Sequence, residues 1–78
     1  MIVNVKYLGM LVDQTGKTEE KIVFDNKSLA DLDSVLQGKY PILKELPYNL
    51  VVNHEVASSS LELQSTDEIA LLPPFAGG

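Results

Sequence analysis

The 78-residue chain offers few side chains suited to covalent chemistry. It contains no cysteine, which removes thiol nucleophiles, thiolate metal sites and disulfides together. Its one histidine, His54, cannot alone assemble a zinc site of the usual kind. It follows Asn53 in a stretch of turn composition, so it reads as a solvent-facing turn residue. Ser58, Ser59 and Ser60 lack the G-x-S-x-G turn and the nearby base that activate a hydroxyl, and a polar loop accounts for them. Glu19-Glu20 and the Asp31/Asp33 pair could ligate a metal, but their placement suits the solvated faces of a strand and a helix, and no metal site is expected. What remains is the ending Pro73-Pro74-Phe75-Ala76-Gly77-Gly78. A terminal carboxylate, with a pKa of about 3.5, is ionised at neutral pH and is a poor electrophile until one oxygen joins a good leaving group. Gly77 and Gly78 leave that carboxylate open to attack and fit a narrow channel. The expected reactive group is therefore the Gly78 carboxylate, with Gly77 and Ala76 as its slender approach.

Composition narrows the function classes. Six lysines, no arginine and eleven acidic residues give a net charge of -5, which opposes binding to phosphate backbones. A chain this short buries only roughly 60% of its unfolded surface, which argues against a self-contained enzyme with a two-lobed active site. With 45% apolar residues it nevertheless has enough to form a core. The longest apolar run, residues 69–76, is broken by Pro73 and Pro74 and is too short for a membrane span of about 20 residues. No basic segment precedes an apolar stretch at the amino terminus, so the cytoplasm is the expected compartment.

The elements that must position the ending follow from periodicity. Val3, Val5 and Tyr7 alternate with Asn4 and Lys6, as in a strand with one buried face. Residues 9–15 allow one short helical turn closed by Gly16. Residues 18–25 read as a second strand, hairpinned to the first, with Ile22 and Phe24 facing the core. Ser28 and Asp31 resemble a capping box at a helix start, following a turn over residues 25–28. Leu29, Leu32, Val35 and Leu36 form its apolar stripe, and Gly38 is expected to stop it in a left-handed conformation. Residues 42–46, bracketed by Pro41 and Pro47, allow only a structured loop with a short helical turn. Residues 49–52 and 55–57 read as a hairpin about Asn53-His54, and residues 68–72, apolar on both faces, as a central strand. The sum is one α+β domain over residues 1–74, a sheet crossed by one main helix, with a tail at 75–78.

Two successive prolines end that last strand and send the chain outward, and residues 75–78 reach roughly 13 Å when extended. The segment Leu71-Leu72-Pro73-Pro74-Phe75-Ala76-Gly77-Gly78, preceded by Ser65-Thr66-Asp67-Glu68-Ile69-Ala70, resembles the carboxy terminus of the MoaD/ThiS family of ubiquitin-like sulfur carriers, in particular the small subunits of molybdopterin synthase. The resemblance spans nearly the whole chain. Residues 5–16 stand at that family's first strand and short helix, and Val51-Val52-Asn53 at its "VN" strand end; Val12-Asp13 stands where many members carry Arg-Glu.

The resemblance implies a β-grasp fold whose terminal glycine is adenylated by an ATP-using, ubiquitin-activating-like adenylyltransferase and converted to a thiocarboxylate. It further implies that the tail enters the large subunit of molybdopterin synthase and donates sulfur to a cyclic pyranopterin, the small subunit being no enzyme on its own and binding no cofactor or metal. A thiamin-pathway carrier shares the fold and the Gly-Gly ending, and a non-catalytic ubiquitin-like binding module is the reading in which that ending is incidental. Leu8, Met10, Leu11, Phe75 and part of Leu71-Leu72 exceed what one helix covers, so some of them are expected to form a partner surface beside the tail. Phe75, Leu8, Met10 and Leu72 are the chief candidates, Phe75 because aromatics are favoured anchors.

Overall fold

The computed structural model describes residues 1–25 and 28–74. Five strands form one mixed sheet in the order β2-β1-β5-β3-β4. β1 (Ile2–Tyr7) and β2 (Glu19–Val23) form the expected antiparallel hairpin, with Ile2 opposite Val23 and Lys6 opposite Glu19. Between them lies the short helix α1 (Leu11–Thr15), which Gly16 closes at φ 77° with its N–H donating to the Val12 carbonyl at 2.8 Å. β5 (Glu68–Leu72) runs parallel to β1 and antiparallel to β3 (Asn49–Val52), so the last strand is central, as its composition indicates. β3 returns through Asn53 and His54, both at positive φ, into the two-residue edge strand β4 (Glu55–Val56).

Helix α2 (Leu29–Lys39) covers one face of this sheet. It begins at Ser28, whose Oγ accepts from the Asp31 N–H at 3.1 Å. Beneath it, Val3, Val5, Tyr7, Ile22, Ile69 and Leu71 from three strands meet Leu29, Leu32 and Leu36 in one buried cluster. Phe24, the other residue expected to face inward with Ile22, is buried in the same cluster. The architecture is the expected α+β β-grasp, a mixed sheet crossed by one main helix.

Three expectations are corrected. Gly38 does not cap α2, because the helix runs on through Lys39 and ends at Tyr40, which has φ -127° and ψ 85°. Pro41 excludes the helical conformation from the residue before it, so the proline and not the glycine stops the helix. Val35 leaves the apolar stripe and is 39% exposed, since Leu29, Leu32 and Leu36 already fill the narrow line of contact. Leu11 is fully buried, because α1 turns it under the sheet, and so it belongs to the core and not to a partner surface. The structured loop contains a 3₁₀ turn, Pro41–Glu45, which inserts Leu43 into the core.

Candidate functional site

The residues that deliver the carboxy-terminal segment lie at one end of the sheet. Along β5, Ile69 and Leu71 point into the core, while Ala70 and Leu72 lie on the opposite, open face and are half-buried. The sequence left Leu71 and Leu72 open between core and surface, and strand alternation divides them. Pro73 is buried and Pro74 exposed, so the chain passes from interior to surface within one residue. Phe75, Ala76, Gly77 and Gly78 lie outside the described residues.

Next to this exit, the Leu8 N–H donates to the Leu71 carbonyl at 3.1 Å, extending the β1–β5 pairing by one residue. Lys6 stands opposite Ala70, so by alternation Leu8 and Leu72 share the open face. Leu8 is 39% exposed and Met10, at the start of α1, 47% exposed. Three of the four partner-surface candidates thus gather around the tail's point of departure. Lys6, Leu8, Val51, His54, Glu68 and Ala70 line a depression of ≈ 230 Å³ on this face. Glu68 lies 3.4 Å from both the Lys6 ammonium and His54 Nε2. His54 is otherwise solvent-facing, its side chain 88% exposed, as its turn position indicates.

A polar cluster behind the exit departs from the solvated faces expected for its acidic residues. Glu20, expected on a solvated face, points inward, and its side chain is only 7% exposed. Its carboxylate accepts from Tyr7 Oη at 2.5 Å, Tyr40 Oη at 2.6 Å, Lys39 Nζ at 2.5 Å and Lys17 Nζ at 3.3 Å. Burial pushes the carboxyl up, but the hydrogen bonds from Lys39, Tyr40, Tyr7 and Lys17 outweigh it and hold the group at about 2. Burial and the bonded carboxylate push Tyr40 up to about 12 and Tyr7 higher still. The signal was present in the alternation that places Ile22 and Phe24 inward, because Glu20 shares their parity. Asp33 is likewise engaged, accepting from Tyr48 Oη at 2.5 Å. The Ser58–60 loop supports the start of α2, the Ser59 carbonyl accepting from the Ala30 N–H at 2.9 Å. Among the described residues no group of three or more His, Asp or Glu side chains is arranged to hold a metal ion, and no helix is long and apolar enough to cross a membrane.

A helix-crossed mixed sheet whose central carboxy-terminal strand ends in a buried proline, with a Gly-Gly ending four residues further on, defines a ubiquitin-like β-grasp protein. Within that class the chain belongs to the ThiS family, whose model matches residues 5–78. It is 35% identical over 80 residues to the molybdopterin synthase sulfur carrier subunit of Mycobacterium tuberculosis, covering 97% of this chain and 96% of that one. Among solved structures it is similar to a putative molybdopterin converting factor subunit 1 from Pyrococcus furiosus, with a TM-score of 0.88, 25% identity and coverage of 95% and 98% of the two chains. It is also similar to a chain of the complex of subunits 1 and 2 of the molybdopterin-converting factor from Helicobacter pylori, with a TM-score of 0.73, 26% identity and full coverage of both.

Proposed function

We propose that this chain is the sulfur-carrying small subunit of a molybdopterin synthase, with the Gly78 carboxylate as its reactive group. The observation that carries the reading is the continuous path from the central strand β5 through the buried Pro73 to a Gly-Gly ending, within a family match that extends to residue 78. The described fold brings the chain to the surface at Pro74, four residues before the terminus, and partners do the chemistry there.

In the first step a carboxylate oxygen of Gly78 attacks the α-phosphorus of ATP on an adenylyltransferase, forming the acyl phosphate bond and expelling pyrophosphate. A hydrosulfide-equivalent donor then attacks the carbonyl carbon. The new C–S bond replaces the C–O bond to AMP, which leaves, and the product is a thiocarboxylate. With no cysteine in the chain, that sulfur has no internal thiol to pair with. The chain binds no cofactor and catalyses nothing alone, ATP being consumed by the activating partner in the cytoplasm. The acceptor is a pyranopterin bound by the large subunit, a choice supported by the name of the Mycobacterium tuberculosis relative and by the two-subunit Helicobacter pylori complex.

The test is intact mass spectrometry after incubation with ATP, a sulfide donor and the cognate activating enzyme. A gain of one oxygen-to-sulfur replacement, abolished by appending a residue after Gly78, is expected. Unmodified carboxylate under those conditions returns the chain to the class of binding modules. A loaded chain that passes sulfur to a thiazole precursor and not to a pterin assigns it to thiamin synthesis.

A further inference from the structure

We propose that Gly9 is a positioning residue for the sulfur-transfer reaction: the space left by its missing side chain seats the Pro73 ring and sets the direction in which the reactive tail leaves the sheet. This rests on the sulfur-carrier reading and adds a residue to it.

Gly9 lies in the turn that takes the chain from β1 into α1, at φ +58°. The Leu8 carbonyl accepts from the Leu11 N–H at 3.1 Å and the Gly9 carbonyl from the Val12 N–H at 3.2 Å, so the left-handed conformation is fixed by hydrogen bonds on both sides. A Cβ built on Gly9 would stand 3.1 Å from Pro73 Cγ and 3.6 Å from Cδ. Gly16 provides the contrast, since at φ +77° it has the same backbone requirement but a Cβ there meets nothing within 4 Å. The left-handed turn demands glycine at both positions, and only at Gly9 does the absent side chain also make room for the tail.

The contact matters because of where the sheet's hydrogen bonds stop. Leu72 pairs with Asn49, and Pro73 has no N–H with which to continue the ladder. Beyond Leu72 the ring's seat against Gly9 orients the chain. A side chain at position 9 requires that ring to give way by a few tenths of an ångström. Five residues follow Pro73 and end at the reactive carboxylate, so the direction fixed at the ring is the direction from which they start. Displacements of about 1 Å in a reacting group can cost about a hundredfold in rate.

The experiment compares wild type, Gly9→Ala, Gly9→Val, Gly16→Ala, Pro73→Ala and Gly9→Ala/Pro73→Ala. Steady-state thiocarboxylation by the activating enzyme is followed by intact mass, alongside thermal midpoints. Gly16→Ala should lower the midpoint through its left-handed backbone alone, and Gly9→Ala by at least as much. Relative to Gly16→Ala, the Gly9 variants should lower kcat, by about tenfold for Ala and more for Val, with KM for ATP unchanged, and Pro73→Ala, which empties the seat, should lower it as well. Removing the ring vacates the contested space, so the double variant should load at a rate within about threefold of Pro73→Ala alone. Nuclear Overhauser contacts between Gly9 Hα and the Pro73 ring protons report the seat independently of activity. Equal kcat in Gly9→Ala and Gly16→Ala, additive effects in the double variant, or no Gly9–Pro73 contact would overturn the proposal. Failure of the wild-type chain to load sinks the sulfur-carrier reading itself, a different result from loading that ignores position 9.

Discussion

The Tyr7 hydroxyl donates to the Glu20 carboxylate at 2.5 Å, joining β1 to β2 on the helix-covered side of the sheet. Tyr7 also stands opposite Leu71 across the parallel β1–β5 pair, two residues before the glycine that seats Pro73. The Glu20 cluster therefore braces the end of β1, which pairs with the strand from which the tail departs. Tyr40, which packs edge-on against Tyr7 with ring centroids 5.8 Å apart, donates to the same carboxylate and ties in the end of α2.

Acid should reveal this cluster. The Glu20 carboxyl is held at about 2 against an ordinary 4.5, so its contribution is fully present above pH 4.5 and is lost as pH falls through 2. The shift corresponds to about 3 kcal/mol. Urea unfolding at neutral pH should show Glu20→Gln destabilised by about 2–3 kcal/mol, with the gap to wild type closing towards pH 2. A gap that persists unchanged at pH 2 would show that packing, not charge, is what Glu20 supplies.

Alkali should act on the donors. All three tyrosines are raised: Tyr48 up to about 12 by burial and by its hydrogen bond to Asp33, Tyr40 up to about 12, and Tyr7 above that. A group whose folded pKa is raised stabilises fully below its ordinary value, here 10, and loses that contribution as pH rises through the folded one. Tyrosinate absorbance should thus stay flat through pH 10 and then rise together with the loss of secondary structure. Any one tyrosine titrating near 10 in the folded chain contradicts the hydrogen bonds assigned to it.

Gly38 separates two accounts of where α2 ends. Inside a helix, with open space where a Cβ would stand, Gly38→Ala should stabilise the protein by about 0.5–1 kcal/mol in chemical denaturation. Were Gly38 the left-handed cap that its spacing first indicated, the same change would destabilise. Ser28→Ala, which removes the acceptor for the Asp31 N–H, should cost about 1 kcal/mol.

These residues show what was legible. Alternation in Val3, Val5 and Tyr7, the cap at Ser28 and the Asn53-His54 turn are local patterns, and local patterns survive folding. Gly38 misled because Pro41, three residues on, overrode a local preference. Glu20 follows the parity of its strand against the preference of a charge for water, and the four donors that permit its burial come from residues 7, 17, 39 and 40, which only the fold assembles. The seat of Pro73 on Gly9 joins positions 64 apart and leaves no mark in either segment. The tail residues Phe75, Ala76, Gly77 and Gly78 were read wholly from sequence.

The open sheet face provides a test of where a large subunit would dock on the carrier proposed above. Leu8 and Leu72 sit where the tail leaves, with Met10 beside them on α1. Val23 is 75% exposed, but it pairs with Ile2 at the other end of the same face. The six residues of β1 separate the two ends by roughly 20 Å at about 3.3 Å per residue. If the partner grips the body where it receives the tail, apolar burial must concentrate at the Leu8 end. Leu8→Glu and Met10→Glu should each weaken association with the large subunit at least about tenfold by calorimetry, equivalent to about 1.4 kcal/mol, whereas Val23→Glu should change it less than about twofold. Because all three side chains are substantially exposed, their thermal midpoints should remain close to wild type. Equal losses at both ends would mean that the partner covers the whole sheet, and a loss at Val23 alone would place the docking surface away from the tail.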